Sequence, residues 1–389
     1  MNHPFEIIFQ TLYDVGRSVD IQGLATGLPE SRTLSYEIRR DTPESLLLPR
    51  PLIVPLDTYT LGDISLGDSG LNRLELRAKI YEEGVITLEC RVQVEIPITE
   101  LHKVKYRLLR INGQEMTPDQ LTALRFKELL EKISDFIIQD QYIFDKFEKE
   151  HYRIFCLTQD IPDPKDFLEE HKAYLAPFLL GENPEENLHS SQVETTVKTP
   201  FSFRDSDLAV FDLDRAFIID PKRDYEDLIL IVEHANYQLL ELRTLDKLLD
   251  RWLDEAEKDI RGTYSPRRRG EKQRVSSVPL NFHPLRAFGR LSQKLGNLQP
   301  LRLDALFILE NLENSSRIIG DYYLEQIYEH LCGIFNTQGW KINVERRLDI
   351  LQNIYTMTKS DQSERTMVIL ELLVVLMIGF EILTLFFPL

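Results

Sequence analysis

The chain has 389 residues, 43% hydrophobic and 28% charged, so it can bury a large core and is not globally disordered. Lysine and arginine number 46 against 63 aspartate and glutamate, a formal net charge of −17. A surface this acidic repels a phosphate backbone, which excludes general nucleic-acid binding. Cys90, Cys156 and Cys332 are too widely spaced for a CxxC pair, which excludes a disulfide framework and a cysteine-based zinc site.

In chain order, the opening segment carries Glu6 and Asp14 and reads as neither a signal peptide nor an Arg-rich transit peptide. Residues 1–222 read as an α+β domain facing the cytoplasm. Alternating apolar residues predict strands over Phe5–Asp14, Arg73–Tyr81, Val85–Glu95, Tyr152–Leu157, Leu208–Asp212 and Ala216–Ile219. Glu82-Glu83-Gly84 predicts a hairpin turn, and the prolines of Pro43–Pro55 a loop or edge segment. Helical spacing covers Thr117–Gln139 and Asp163–Leu180. His102, His151 and His234 read as surface or packing residues.

From 223 to 365 the period is helical, which predicts a stalk. A stripe from Val232 to Ile260 steps by three and four residues, with Asp246 its one polar member. A second helix runs to Ile334 and ends near Asn336–Gly339, where Gly339 suits a C-cap. A third starts near Trp340. Between the first two lies a basic loop, 261–282, in which Arg261, Arg267, Arg268, Arg269, Lys272 and Arg274 face a single acid over 261–274. Arg267, Arg268, Arg269, Lys272 and Arg274 are candidate contacts to anionic lipid.

Residues 366–389 are nearly free of charge apart from Glu371 and Glu381, and their length predicts one C-terminal transmembrane helix. Arg346, Arg347, Lys359 and Arg365 precede it, so the positive-inside rule predicts a tail-anchored, single-pass protein of the inner (plasma) membrane. Glu371, Val374, Ile378 and Glu381 share one stripe, and intramembrane acids of this kind usually face protein. The expected partners are therefore the lipid bilayer and either further copies of the chain or other membrane proteins.

Dinucleotide, P-loop, metalloprotease and nucleophile-elbow motifs are all missing, so no cofactor, metal or catalytic residue is expected. The stretch Ala209-Val210-Phe211-Asp212-Leu213-Asp214 resembles the first motif of the haloacid-dehalogenase phosphotransferases, and Ile319-Gly320-Asp321 their late acidic motif. Arg215-Ala216 stands where that family has Gly-Thr.

Residues 233–250, 314–331, 340–355 and 364–382, with Leu370-Glu371 and Glu381, resemble the C-terminal half of the domain-of-unknown-function 155 family over about 224–385. That family includes the mitochondrial "required for meiotic nuclear division" proteins and bacterial relatives. The resemblance implies a membrane-anchored, oligomer-prone protein without known catalysis. The expected function is a non-enzymatic, oligomer-forming scaffold or assembly protein. The alternatives are an ion-conducting or transport assembly, with Glu371 and Glu381 facing the bundle interior, and a haloacid-dehalogenase-like phosphatase.

Overall fold

The computed structural model describes residues 2–16, 18–27, 32–33, 51–60, 64–66, 69–106, 109–111, 114–138, 148–183, 188–264, 303, 305–306, 309–310 and 321–386. In chain order these form β1 (His3–Asp14), β2 (Ser18–Val19), α1 (Ile21–Gly27), β3 (Arg32–Thr33), β4 (Leu52–Thr60), β5 (Ile64–Leu66), β6 (Ser69–Ile80), β7 (Val85–Ile96), β8 (Leu109–Ile111) and β9 (Gln114–Met116). There follow α2 (Pro118–Ile133), β10 (Ile137–Ile138), β11 (Lys149–Leu157), α3 (Pro164–Leu179), α4 (Ser190–Thr196), β12 (Leu208–Phe211) and β13 (Arg215–Ile219). Three helices complete the described chain: α5 (Glu226–Tyr264), α6 (Tyr322–Ile334) and α7 (Thr337–Phe386).

Contacts divide the chain into two units, residues 1–244 with 310–338, and residues 245–309 with 339–389. The first is an α/β region built on a mixed sheet in the order β12-β13-β11-β1-β7-β6-β5-β8-β9, with β4 also on β6. β1 lies between two antiparallel neighbours, with Phe5 opposite both Leu157 of β11 and Val94 of β7. The pair β11–β13 runs parallel, from Arg153 opposite Arg215 to Leu157 opposite Ile219. A parallel pair needs a long crossover, and α3 and α4 lie within it.

The strands follow from their alternation. On one face of the sheet Phe5, Ile7, Phe9, Val92, Val94 and Phe155 pack with Leu168, Leu175 and Phe178 of α3. The Phe155 and Phe178 rings meet edge to face, 4.7 Å apart. Tyr13, Ile80 and Leu88 pack with Leu24 of α1 and with Phe126, Leu129 and Ile133 of α2. On the opposite face Leu12, Tyr81 and Val85 meet Tyr237 and Leu240 of α5. The β6–β7 turn needs its glycine, since Gly84 takes φ 89°, a left-handed conformation costly for any residue with a Cβ.

Helix starts are capped by the residues their sequences supply. Thr117 and Gln120 form a reciprocal capping box at α2, with Pro118 in the first turn. Asp163 accepts from the Lys165 and Asp166 amides at α3. Asp321 does the same for Tyr323 and Leu324 at α6. The joint between α6 and α7 differs from expectation. Asn336, not Gly339, takes the left-handed conformation, at φ 52°, while Gly339 is an ordinary residue inside α7. Asparagine tolerates that region better than most residues, so the helix stops three residues earlier than the glycine suggested.

In the second unit Leu249, Trp252 and Ala256 of α5 and Val344, Leu348, Leu351 and Tyr355 of α7 are buried. Arg347 bridges Asp246 at 3.0 Å and Asp250 at 2.5 Å. The polar member of the α5 stripe is thus an ion-pair partner.

The expectation of a transmembrane helix is overturned. Among the described residues no helix is long and apolar enough to cross a membrane. The fold class of an α+β domain, stalk and span gives way to an α/β region with a mixed sheet, followed by long helices. The membrane, tail-anchored and transmembrane descriptions fall with the span, and the inner-membrane location and charge-based orientation lose their structural footing.

Candidate functional site

The face of β1, β7 and β6 turned toward α5 is polar at its centre. Period-two alternation places Gln10, Glu89 and Arg77 in one cross-strand row and Thr87 and Lys79 in the next. Across this face α5 presents Glu226 and Glu233. The Lys79 ammonium pairs with Glu89 at 2.9 Å and donates to Glu233. The Tyr81 hydroxyl donates to the other oxygen of Glu233 at 2.8 Å, and the Gln10 amide reaches Glu233 at 3.5 Å. Glu89 also accepts from Arg77 Nε at 2.8 Å and from Arg91 Nε at 2.5 Å. Arg91 continues to Glu226 through Nη2 at 2.7 Å and approaches Glu6 at 3.7 Å. Glu6 in turn accepts from the Tyr225 hydroxyl.

Lys79, Glu89 and Glu233 are at most 5% exposed. Burial by itself would push the Glu89 carboxyl up, but Lys79, Arg91 and Arg77 outweigh it and hold the group well below the usual carboxylate range. Burial likewise lowers Lys79 and Arg91, and their carboxylate partners reverse the sign and raise both. Glu89, Lys79 and Arg91 therefore stay ionised at neutral pH. Lys79, Glu89 and Glu233 are thus buried beside opposite charges, while Arg77 and Glu226 reach the surface, at 32% and 60% side-chain exposure. The chemistry of this lattice is that of a clamp between sheet and helix.

Further along α5, His234 is buried and stacks against Tyr237 at 6.2 Å and Tyr328 of α6 at 5.7 Å. Gln238 lies 3.4 Å from its Nε2 and accepts from the Tyr328 hydroxyl. Burial lowers the imidazole to about 4, so it packs as a neutral ring. Glu241, one turn beyond Tyr237, is buried, and burial together with Asp14 and Glu83 raises its carboxyl well above the ordinary range.

The acids of the phosphotransferase-like motif have structural partners. Asp212 follows β12 and accepts from the Leu213 amide at 2.6 Å. Asp214 faces Arg153 and Arg215, and Asp321 caps α6. Among the described residues β12 pairs with antiparallel β13 of its hairpin and makes an isolated bridge to Phe201. Among the described residues no group of three or more His, Cys, Asp or Glu can hold a metal ion.

Of the residues singled out from sequence, Glu371 lies exposed on α7. Glu381 belongs to the same helix, but its side chain is outside the described residues. Arg267, Arg268, Arg269, Lys272 and Arg274 are also outside them. Around Glu371, Met367, Val368, Leu370, Leu372–Met377, Ile378 and Phe380 stand 50–71% exposed. The sequence reading missed the ionic lattice. Its one signal was the regular spacing of Thr87, Glu89 and Arg91 between apolar residues, which reads equally well as a solvated strand face.

A family model described as "Uncharacterized protein MJ0711, N-terminal domain" matches residues 4–226. The uncharacterized protein MJ0711 of Methanocaldococcus jannaschii is 25% identical over 308 residues, which cover 79% of this chain and 80% of that protein. No solved structure matches. The match overturns the resemblance to the domain-of-unknown-function 155 family. That resemblance rested on helical spacing and an apolar run over 224–385, a pattern many long helices share, whereas the matched family lies in the N-terminal α/β region.

Proposed function

The chain belongs to the family of the MJ0711 N-terminal domain, and we propose that this member is a non-enzymatic scaffold that assembles with further copies of itself through the far end of α7. The observation that carries this reading is the set of large apolar side chains from Met367 to Phe380, each at least half exposed in the single chain. Together they leave on the order of 1,000 Å² of apolar surface in water, more than the ~800 Å² that one partner contributes to a standard interface. Soluble monomers rarely leave so large a continuous patch uncovered. Leu370, Leu373, Met377 and Phe380 step by three and four, the spacing of a helix-to-helix seam. Apolar residues also occupy the remaining sides of the same turns, which favours three or more helices over two.

The ion-conducting alternative needs a bilayer-crossing helix and is not taken up. The test of the scaffold reading is the mass of the particle in solution, by light scattering or sedimentation. The full chain is expected to be a multimer at micromolar concentration. A chain ending at Ser363 is expected to be monomeric with the far-ultraviolet spectrum of a folded α/β protein. A monomeric full chain, or a truncated chain that keeps the multimer, defeats the proposal.

A further inference from the structure

In its first turns α7 uses one face within the chain: Val344, Leu348, Leu351 and Tyr355 are buried. About half a turn round the helix runs a second stripe that stays in water. Ile342, Ile350, Met357, Val368 and Val375 stand 40–71% exposed along it. Arg346, Asn353, Ser360, Glu364 and Glu371, all exposed, fill the places between, so the stripe steps by three and four residues without a break. Arg346, Glu364 and Glu371 carry no ion pair among the described residues.

The order of these side chains decides how a second copy can lie along them. In a parallel, in-register pair each residue faces its own copy, so Arg346 meets Arg346, Glu364 meets Glu364 and Glu371 meets Glu371. Each of those meetings is repulsive. Reversing one helix about a two-fold axis between Met357 and Ser360 turns the same pattern into its own complement. Arg346 then faces Glu371, and Asn353 faces Glu364. Ile342 faces Val375, and Ile350 faces Val368. A slip of one heptad keeps a charge pair, Arg346 with Glu364, but sets Ile350 against Ser360 and leaves Val375 without an apolar partner.

From this self-complementarity we infer that α7 pairs antiparallel with α7 of a second copy over residues 342–375, a contact about 50 Å long. The two-fold axis makes every contact twice, so each pair of chains gains two Arg346–Glu371 bridges. The inference rests on the self-assembly proposed above and gives it an orientation. The seam of Leu370, Leu373, Met377 and Phe380 lies on the other side of the helix and stays free to join one antiparallel pair to another. The assembly therefore holds an even number of copies.

The experiment uses two full-length variants, Ile342→Cys and Val375→Cys, carrying tags of different mass and mixed under mild oxidation. The facing positions lie within disulfide reach in the antiparallel pair, so the expected product is a covalent dimer of one chain of each kind. Val375→Cys alone should give no more dimer than the wild type, whose Cys90 and Cys156 are buried. Sedimentation supplies the second readout. Arg346→Glu or Glu371→Arg alone should weaken the assembly several-fold, and the two combined in one chain should return it to within about twofold of the wild type. A Val375–Val375 dimer, a multimer that forms no 342–375 dimer, or a double reversal as weak as the single ones overturns the antiparallel pair and leaves self-assembly standing. A monomeric full chain removes both.

Discussion

Two helices of this protein depart from the usual division between inside and outside, and they do so in opposite senses. The first half of α5 covers the sheet and takes Lys79, Glu89, Arg91 and its own Glu233 largely out of water, with Glu226 at the exposed rim. The far end of α7 keeps leucine, valine, isoleucine, methionine and phenylalanine in water. In the first region the desolvation cost of each charge is answered within the chain, by ion pairs and by the hydroxyls of Tyr81 and Tyr225. In the second, no described residue covers the apolar side chains. One region is complete in a single copy and the other is not, which is why self-association is sought at α7 and not at the lattice.

The contrast breaks most visibly at Lys79. Lys79→Met leaves Glu233 buried without its cation, and unfolding in denaturant should show a loss of about 3–5 kcal/mol. Adding Glu233→Leu should recover part of that loss, because Glu89 keeps Arg77 and Arg91. If the single and double variants lose equal amounts, the clamp acts through packing alone.

A somewhat smaller effect lies at His234. Its imidazole is lowered to about 4, so the unfolded chain binds the proton more readily. The sign follows directly: its contribution is present above the unfolded value of about 6.5 and is lost as pH falls toward 4, by roughly 3 kcal/mol in all. His234→Phe should flatten that part of the stability–pH curve, as measured by thermal unfolding between pH 7 and pH 4. An unchanged slope would place the acid sensitivity elsewhere. Glu241 has the opposite sign. Its raised carboxyl favours the fold at low pH and loses that contribution as pH rises through the elevated value.

The smallest change belongs to the exposed region. Leu373→Ser in the chain as a monomer should alter unfolding free energy by no more than about 0.5 kcal/mol, while lowering the multimer fraction in sedimentation. A large loss of monomer stability would mean that Leu373 is covered within its own chain.

Much of the sheet was legible before the structure. The alternation in β1, β6, β7 and β11 is regular, Gly84 marks the hairpin, and each predicted strand forms with small shifts at its ends. Pairing between distant strands was not legible. Nothing local in Arg215–Ile219 tells β13 to lie parallel to β11, because that choice is made by the crossover through α3. The ionic lattice was not legible for a related reason. Periodicity shows that Thr87, Glu89 and Arg91 share a face, but not whether water or another element covers it. The same limit applied to the apolar tail, where hydropathy counted residues without saying what would surround them. Asp246 was legible only as the one polar member of an apolar stripe, and its partner, Arg347, came from the structure.

The position of β1 bears on the order in which the molecule is made. It is a central strand, yet its neighbours β7 and β11 follow it in the chain, and Phe5 waits for Leu157. At about 5–20 residues per second, synthesis takes roughly 8–30 s to pass from one to the other. Until β7 arrives, roughly 4–18 s after Phe5, a strand reading Phe-Glu-Ile-Ile-Phe has no edge to join, and its second edge stays open until β11 follows. Long-range pairing of this kind also closes slowly after release. The protein's exposure to misassembly is therefore greatest during translation, and a holding chaperone would act on this strand before any other part of the sheet.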